Sequence, residues 1–429
     1  RRSSWTKMRE PVSQRVVIVG ASMSGLRAAE QLVAQGFDGE LTVIGEETHM
    51  PYNRPPLSKE VLATVRDSTN SSLADWHAGV AFRLRRSVDG VKWTLGRRVT
   101  ACDLSEKVVR LVDGTTLSFD GLVVATGLRP RRLDLPGPQS GRHVIRSLDD
   151  AIALRSQLRP GARVVVVGGG FIGCEIASTA QTLGCDVHIV EPATSPMIRP
   201  LGPQLGAALR RLHEASGVRV HTGLTVHAVQ ENPEVPDRVG GVVLSDGTDL
   251  PADVIVESVG SHANVEWLAG NDLDLKDGVL CDNAMRVEGR PDVVAVGDVA
   301  RFPDPATGNV PERIEHWCIP TETARRAALS LSAHLHGREI DEKPFSPMPS
   351  FWSDQFGVRL QGFGSPSAAD TIEVLEGDLT AEPNRLAGLV VGYLAKGRLV
   401  GVVLISPSPN SARHYREMVE EMRSATAAA

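Results

Sequence analysis

Cysteine, aromatic residues and long apolar runs are all scarce in this sequence. The five cysteines are widely spaced and form no C-x-x-C pair, which excludes a disulfide scaffold and a cysteine-bound zinc or iron–sulfur site. The basic segment before Met8 lacks the apolar centre of a secretory signal, and no apolar run approaches the ~20 residues of a membrane span. We therefore expect a cytoplasmic protein with no bound metal and no membrane contact.

A strong charge of one sign is also lacking. The 429 residues carry a net charge of −6, so the whole molecule has no electrostatic reason to bind nucleic acid or an anionic membrane. Apolar residues make up 41% and charged residues 23%, which is typical of a globular chain and excludes a disordered one. This length predicts about two to four domains.

One pattern occurs twice along the chain. Residues 15–20 (RVVIVG) run into residues 20–25 (GASMSG), and residues 163–168 (RVVVVG) run into residues 168–173 (GGGFIG). The β-branched runs are typical of strands buried on both faces of a parallel sheet, and a helical pattern follows each glycine-rich turn. We expect a βαβ unit in each copy.

A second repeat lies downstream of each copy. Residues 113–127 (DGTTLSFDGLVVATG) align with residues 246–260 (DGTDLPADVIVESVG), and both predict a turn, a polar strand and a buried strand. A third glycine-terminated strand is expected at residues 292–298 (DVVAVGD). From about residue 339 the chain has a proline-rich entry, alternating strands and a final polar helix, which predicts an antiparallel sheet.

The two glycine-rich turns predict two dinucleotide sites. The first glycine of a G-x-G-x-x-G turn permits a tight turn, the second lets a pyrophosphate approach, and the third packs helix against strand. The first copy has Gly20 and Gly25 but Ser22 in the middle; serine is small, and its hydroxyl can donate to phosphate. The complete copy has Gly168, Gly170 and Gly173.

An acidic residue after the next strand is expected to bind a ribose in each copy. In the second copy this residue is Glu191, whose charge repels a 2′-phosphate and favours NADH over NADPH, although nearby Arg199 weakens that preference. In the first copy it is Glu46 or Glu47. Two sites in one chain suggest two dinucleotides, a tightly held FAD and a visiting nicotinamide.

These patterns predict the fold class and its division. We expect an α/β protein with two tandem Rossmann-like dinucleotide-binding domains in a glutathione-reductase-like arrangement, plus a C-terminal α+β domain. The expected domains are a discontinuous FAD-binding domain at residues 14–122 and 262–338, an NAD-binding domain at residues 123–261, and the C-terminal domain at residues 339–429.

Six motifs together are highly specific. They are PYNRPPLSK (51–59), VVATGLRPR (123–131), GGGFIGCEIA (168–177), AVGDVARF (295–302), RIEHW (313–317) and FWSDQF (351–356). With them the chain resembles the FAD-dependent NAD(P)H:ferredoxin reductase family, putidaredoxin reductase-like flavoproteins that serve cytochrome monooxygenases or ring-hydroxylating dioxygenases. The resemblance extends from about Arg15 into the third domain.

On the flavin side, the resemblance implies that Glu46 contacts the FAD ribose, that Lys59 lies beside the isoalloxazine and that Trp352 covers it from the third domain. A cation there stabilises negative charge on reduced flavin. Lys59, Glu175 and Trp352 are thus the expected catalytic residues. The positions expected to contact FAD are Gly20, Ser22, Ser24, Gly25, Glu46, Glu47, Arg54, Lys59, Val99, Ala125, Thr126, Gly127, Arg129, Arg146, Asp298 and Trp317.

On the nicotinamide side, the resemblance implies that Glu175 faces the carboxamide and pairs with Lys59. Without that role, Glu175 is a negative charge near a helix N-terminus, which stabilises the helix by ~0.3–1 kcal/mol. The positions expected to contact NADH are Gly168, Gly170, Phe171, Ile172, Gly173, Glu175, Glu191, Arg199 and Gly260.

The implied activity is hydride transfer from NADH to FAD N5, followed by single-electron transfer to an external [2Fe–2S] ferredoxin that feeds a monooxygenase or dioxygenase. An acidic ferredoxin needs a local basic patch on this acidic protein. Arg325 and Arg326 are the candidates, with an ordinary exposed helix pair as the alternative reading. A monomer or weak homodimer is expected.

Three other functions are weighed against this one. A flavin disulfide reductase needs a redox cysteine in the helix after the first ribose acid, and residues 46–66 contain none. An apoptosis-inducing-factor-like protein that responds to NADH shares the two-nucleotide design. A reductase for rubredoxin, or for a nitrite reductase component, differs only in its partner.

Overall fold

The computed structural model describes residues 13–64, 72–340 and 343–427. Its helices are α1 Met23–Ala34, α2 Glu60–Ala63, α3 Leu73–Ala78, α4 Leu148–Arg155, α5 Phe171–Thr182, α6 Ile198–Ala215, α7 Ile319–Leu335 and α8 Pro409–Ala427. Its strands are β1 Arg15–Val19, β2 Glu40–Ile44, β3 Lys92–Thr94, β4 Val99–Asp103, β5 Val108–Leu111, β6 Thr116–Ser118, β7 Gly121–Val124, β8 Leu128–Pro130, β9 Arg142–His143, β10 Arg163–Val167, β11 Asp186–Glu191, β12 Arg219–Thr222, β13 Val226–Glu231, β14 Val239–Leu244, β15 Asp249–Pro251, β16 Val254–Glu257, β17 Ser261–Ala263, β18 Val279–Leu280, β19 Val293–Ala295, β20 Ala300–Phe302, β21 Glu312–Arg313, β22 Ser350–Gln355, β23 Val358–Gly364, β24 Thr371–Glu376, β25 Val390–Ala395 and β26 Arg398–Ile405.

The first parallel sheet has the strand order β19-β7-β1-β2-β3. Its central strand β1 is apolar on both faces, and Val16 and Ile18 are fully buried, because α1 and α7 cover one face and the β4-β5-β6 meander packs into the same core. The expected boundary between residues 122 and 123 falls inside β7, whose four residues all belong to this sheet.

The second parallel sheet has the order β12-β11-β10-β16-β9 and repeats the first βαβ arrangement. Strand β10 pairs with β11 and β16 in parallel register, with α5 between β10 and β11. The duplicated fold expected from the sequence is thereby confirmed. Strands β8 and β17 form an antiparallel pair where the chain passes between the two sheets.

The C-terminal antiparallel sheet, β22-β23-β26-β25-β24, lies between two layers of helices. Along β26, Val403 and Ile405 pack with α5 and α6 of the second sheet, whereas Val402 and Leu404 pack under α8. This alternation follows from the two-residue period of a strand. The α+β domain is confirmed, and β22 is held against the start of the second βαβ unit.

In the described ranges no helix has the length and apolar composition required to cross a membrane.

Candidate functional site

The turn after β1 is so tight that larger residues are excluded from it. Gly20 has φ +121°, and a Cβ there would overlap the carbonyl oxygen of Ala125. A Cβ at Gly25 would overlap the Gly20 carbonyl oxygen, so α1 lies close against β1. Ser22 is the N-cap of α1, and its side chain accepts no hydrogen bond from the described residues of the first turn. Backbone N–H groups there remain available to a phosphate.

The turn after β10 repeats this geometry. Gly168 has φ +102°, and a Cβ would overlap the Ser258 carbonyl oxygen; a Cβ at Gly173 would overlap the Gly168 oxygen. Gly170, the N-cap of α5, differs because a Cβ built there meets no described atom within 4 Å. Space therefore lies open beside the middle glycine, where a pyrophosphate is expected to approach.

The expected ribose acid Glu191 lies at this second turn. Its two carboxylate oxygens accept hydrogen bonds from the backbone N–H groups of Gly169, at 2.7 Å, and Ala193, at 2.9 Å. Arg199 is exposed in the first turn of α6. Ile172, near the start of α5, is 47% exposed. An apolar side chain and a carboxylate thus flank the open space at the turn.

Gly260 and Phe171 are two further positions expected to contact NADH. Gly260 follows β16 with φ +101°, and the nearest atoms to a Cβ there belong to the Arg131 side chain. The Phe171 ring packs on Phe351 of β22, with ring centroids 5.1 Å apart.

A cluster of charged side chains lies beyond the first turn. The Arg54 guanidinium binds Glu47 with a 2.6 Å contact, and the Tyr52 hydroxyl donates to the other oxygen of Glu47. Arg146 Nη2 lies 3.9 Å from Asp298 Oδ2, next to this trio. Glu47, Tyr52 and Arg54 come from one stretch of chain, and the fold brings Arg146 and Asp298 to it from two distant segments.

Burial and mutual contact shift the pKa values in this cluster. Burial raises the pKa of Asp298, and Arg146 only partly offsets it. Burial, with Arg54 nearby, lowers the pKa of Arg146. Burial also opposes the charges on Arg54 and Glu47, but their attraction outweighs it, so the pKa of Arg54 rises and that of Glu47 falls. The cluster therefore presents half-buried charged groups of both signs as hydrogen-bonding partners for a polar ligand.

Lys59 joins the first domain to the second. It follows a short 3₁₀ turn, Pro55–Ser58, which two prolines stiffen at its start. Lys59 Nζ lies 2.8 Å from Glu175 Oε2 in the first turns of α5, and the two side chains are only 13% and 5% exposed. The pair therefore joins the PYNRPPLSK loop of the first domain to α5 of the second.

Two serines missed by the sequence reasoning complete the environment of Glu175. Ser58 donates to Glu175 Oε2 at 2.6 Å, and Ser353 donates to Oε1 at 2.7 Å. Both lie inside motifs already singled out, PYNRPPLSK and FWSDQF. Their place within these motifs is the signal that could have identified them, and the same is true of Tyr52.

Trp317 and Trp352 stand edge to face beside this site. Their ring centroids are 5.7 Å apart with an interplanar angle of 70°. Trp317 is 41% exposed, and its indole N–H donates to the Asn53 side chain at 3.0 Å. The structure thus joins the RIEHW and FWSDQF motifs to the PYNRPPLSK loop.

His316 is a further residue that the sequence reasoning did not single out. Its ring lies 5.4 Å from the Phe351 ring. Its buried Nδ1 has no hydrogen-bond partner in the part of the chain that the structure describes. Burial lowers the pKa of His316 to about 4, so the ring is a neutral imidazole at pH 7.

The remaining positions expected at FAD are distributed around the first turn. Ser24 is buried against Gly297, at the end of β19. After β7, the Thr126 hydroxyl donates to the Asn264 carbonyl oxygen at 2.6 Å. Gly127 has φ +58°, and Arg146 Nη2 lies 3.3 Å from where its Cβ would be.

Three expected FAD positions lie away from the charged cluster. The Glu46 side chain is 72% exposed, with Arg98 4.0 Å away, so Glu47 and not Glu46 contacts the cluster. Arg129, in β8, forms an ion pair with Glu266 at 2.6 Å. Val99 is buried at the start of β4.

The comparison with known proteins gives the family. The sequence profile of the pyridine nucleotide-disulphide oxidoreductases matches residues 14–320, and a reductase C-terminal profile matches residues 350–429. The chain therefore belongs to the pyridine nucleotide-disulphide oxidoreductase family.

Three relatives illustrate its place in that family. The ferredoxin–NAD(+) reductase component of a p-cumate 2,3-dioxygenase system from Pseudomonas putida is 34% identical over 86% of this chain and 85% of its own. The corresponding component of an anthranilate 1,2-dioxygenase system from Burkholderia cepacia is 35% identical over 91% and 90%. A crystal structure of a covalent putidaredoxin reductase–putidaredoxin complex matches with a TM-score of 0.83, at 30% identity, over 95% of this chain and 93% of that one.

Proposed function

We propose that this protein is an FAD-dependent NADH:ferredoxin oxidoreductase. The observation that carries the proposal is the Lys59–Glu175 contact at 2.8 Å, because it joins the loop of one nucleotide domain to the first turns of the nucleotide helix of the other. Two dinucleotides bound at these turns would have their reactive rings beside this pair. The ferredoxin–NAD(+) reductase relatives support the same reaction.

The residues present fit FAD at the first turn. The cradle at Gly20 and Gly25 admits no Cβ, and the start of α1 has free donors for a pyrophosphate. Beyond it, Asp298 offers a half-buried carboxyl to a ribityl hydroxyl, and Arg54 and Arg146 offer half-buried cations. The Arg146 and Asp298 side chains stand 3.9 Å apart, which leaves both of them with hydrogen-bonding capacity for a polar, extended cofactor.

Bound FAD would supply two-electron acceptance from NADH and one-electron donation to a ferredoxin. The protein itself aligns the two ligands and excludes water. Lys59 places a cation where negative charge develops, and Trp317 and Trp352 shield the site on its ferredoxin side.

Glu191 supports NADH as the reductant. Its carboxylate is fixed at the second turn by two backbone N–H groups, so a 2′-phosphate there would meet a negative charge. Glu191→Ala is expected to narrow the preference for NADH over NADPH in kcat/KM. An unchanged ratio would remove Glu191 from the site.

Arg325 and Arg326 of α7 are the proposed contacts for an acidic [2Fe–2S] ferredoxin. Arg325 is exposed and pairs only with neighbouring Glu322 among the described residues, whereas Arg326 donates to the Asn283 carbonyl oxygen. We expect Arg325→Glu to raise the KM for ferredoxin without changing the KM for NADH. Arg110→Glu, at an exposed position of β5, is the matched control; an equal effect there would remove the docking assignment.

The proposed setting is the cytoplasm, with the protein a monomer or weak homodimer. The five cysteines, all within the described residues, are unpaired, as expected in a reducing compartment. Sedimentation across a range of protein concentrations tests the oligomeric state.

The most direct test of the reaction is NADH-driven cytochrome c reduction with a panel of ferredoxins. The proposal expects a strong stimulation by at least one acidic [2Fe–2S] ferredoxin. A slow reaction, a long-lived complex of reduced protein and NAD⁺, and no response to any ferredoxin would favour the apoptosis-inducing-factor-like alternative. Stimulation by rubredoxin or a nitrite reductase component alone would change the partner and leave the reductase chemistry in place.

A further inference from the structure

A buried chain of polar side chains leads from Glu175 to a histidine of α6. Ser353 Oγ donates to Glu175 Oε1 at 2.7 Å, and Gln355 Nε2 donates to Ser353 Oγ at 3.0 Å. Gln355 Oε1 then lies 2.8 Å from His213 Nε2. None of the four residues is more than 4% exposed, so water does not compete for these contacts.

The hydrogen bonds in this chain all run in one direction. Because the Gln355 amide N–H₂ donates to Ser353, its carbonyl oxygen must accept from His213, which places the histidine proton on Nε2. Burial lowers the pKa of His213, consistent with a neutral ring. Every donor therefore points toward the Glu175 carboxylate, an arrangement in which each bond polarises the next.

Both oxygens of the Glu175 carboxylate are held, but by different domains. Ser58 and Lys59, from the first domain, contact Oε2. Among the described residues only Ser353 donates a hydrogen bond to Oε1, and it belongs to β22 of the C-terminal domain. The orientation of the carboxylate about its own axis thus depends on the C-terminal domain.

We propose that Ser353, Gln355 and His213 are positioning residues of the reductase site. They hold the Glu175 carboxylate in the plane in which it pairs with Lys59 and faces the nicotinamide. The C-terminal domain then contributes to NADH oxidation through β22, in addition to covering the site. This inference rests on the proposed function, since it assigns the residues that prepare Glu175 for it.

The kinetic test compares Ser353→Ala with wild type by stopped flow. We expect the limiting rate of flavin reduction by NADH to fall about tenfold, the usual effect of losing one hydrogen bond to a charged group, with little change in the NADH dissociation constant. In α6, His213→Leu removes the N–H that donates to Gln355, whereas His213→Gln retains an N–H at that place. We expect His213→Leu to slow flavin reduction and His213→Gln to retain most of the wild-type limiting rate.

Tyr393→Phe is the matched control for loosened packing. The Tyr393 hydroxyl donates to the Leu201 carbonyl oxygen at 2.6 Å and so joins the same two domains, but without contact to Glu175. It is expected to lower the thermal midpoint and leave the limiting rate unchanged. If Tyr393→Phe slows reduction as much as Ser353→Ala, or if Ser353→Ala leaves the rate unchanged, the proposal is wrong.

A second readout does not depend on turnover. In ¹⁵N-histidine-labelled protein, His213 should appear as the Nε2–H tautomer at pH 7, and its Nε2 resonance should shift in Glu175→Gln. A resonance from the Nδ1–H tautomer, or one that Glu175→Gln leaves unmoved, would refute the directional chain. If wild-type protein shows no NADH-driven flavin reduction, the proposed function fails, and this spectrum still decides whether the chain exists.

Discussion

Arg54 illustrates how single residues at this site depend on their partners. Its guanidinium contacts the Glu47 carboxylate, the Tyr52 hydroxyl and the Arg146 carbonyl oxygen. Tyr52 also accepts from the Leu148 backbone N–H at the start of α4. One half-buried cation thus ties the PYNRPPLSK loop to the segment between β9 and α4 that contains Arg146.

Replacement of Arg54 tests its expected role in holding FAD. Arg54→Ala leaves Glu47 without its cation and removes a charge from the crevice, so we expect FAD to be retained about tenfold less tightly or worse. The ratio of bound flavin to protein after gel filtration at falling protein concentration measures the effect. Arg97→Ala, which breaks an exposed pair with Asp113 in the same domain, should retain flavin normally. Equal flavin loss in both variants would contradict the assignment.

His316 predicts a pH dependence of stability. Its pKa is lowered by burial to about 4 in the folded protein, against about 6.5 in an unfolded chain. Between these two values the unfolded chain binds a proton that the folded chain does not, so stability falls as the pH drops through this window.

His316→Gln removes that titration. Between pH 7 and pH 5 the wild-type protein should lose about 2 kcal/mol more stability than the variant, from ~1.4 kcal/mol for each pH unit below 6.5. Urea unfolding at the two pH values measures it, with His227→Gln, at an exposed histidine, as control. Equal losses in wild type and His316→Gln would show that the ring is not held neutral.

At the scale of elements, different positions of the glycine-rich turns serve different purposes: one allows helix and strand to pack closely, and another leaves room for a ligand. Gly173 is required by packing, because a Cβ would overlap the Gly168 carbonyl oxygen and force α5 away from β10. Gly170 has φ −77° and open space around it, so the protein alone does not require glycine there. Ser22, at the equivalent place in the first turn, already carries a Cβ with φ −110°.

Gly170→Ala therefore distinguishes the two roles. We expect an unchanged thermal midpoint but a KM for NADH raised about tenfold, because the new methyl group occupies the approach to the pyrophosphate. Gly173→Ala should instead lower the thermal midpoint. A Gly170→Ala variant with normal KM would mean that NADH does not bind against this turn.

The sequence predicts these elements well because their signals are local. A β-branched strand, a glycine-rich turn and an amphipathic helix follow one another within about 30 residues, and both copies fold accordingly. Ser353, Gln355 and His213 could not be found in this way. Ser353 and Glu175 are separated by 178 residues, and His213 lies in a helix that carries no motif. Only the packing of β22 on α5 and α6 brings them together.

The place of Glu47, and not Glu46, in the charged cluster has the same origin. The residues alone left both acids open as the ribose acid because they are adjacent after β2, and the resemblance assigned the ribose to Glu46. Their choice depends on which way each side chain points, and Arg54 and Tyr52 attract Glu47 into the cluster while Glu46 faces solvent.

At the scale of the whole molecule, the C-terminal domain contacts both nucleotide-binding domains. Its sheet packs on α5 and α6, and α8 is fixed to the first domain by Arg423. Arg423 pairs with Asp304 at 2.5 Å, and the two side chains are 7% and 5% exposed. Removal of one partner of such a buried pair leaves the other charge uncompensated.

Arg423→Ala should therefore lower the free energy of unfolding by about 3–5 kcal/mol. With the cofactor bound, the loss is observed as a fall in the thermal midpoint. Arg359→Ala breaks an exposed pair with Asp354 in the same domain and should cost less than about 1 kcal/mol. A small effect at Arg423 would show that α8 contributes little to holding this domain in place.

The central claim is that two nucleotide crevices meet at the Lys59–Glu175 pair, so that NADH reduces a flavin held in the same chain. Anaerobic titration of the FAD-loaded protein with NADH tests it most directly. We predict that the flavin absorbance bleaches fully with one NADH per bound FAD, and that Lys59→Met slows this reduction more than it weakens NADH binding. A flavin that stays oxidised in excess NADH, while dithionite reduces it readily, would contradict the account.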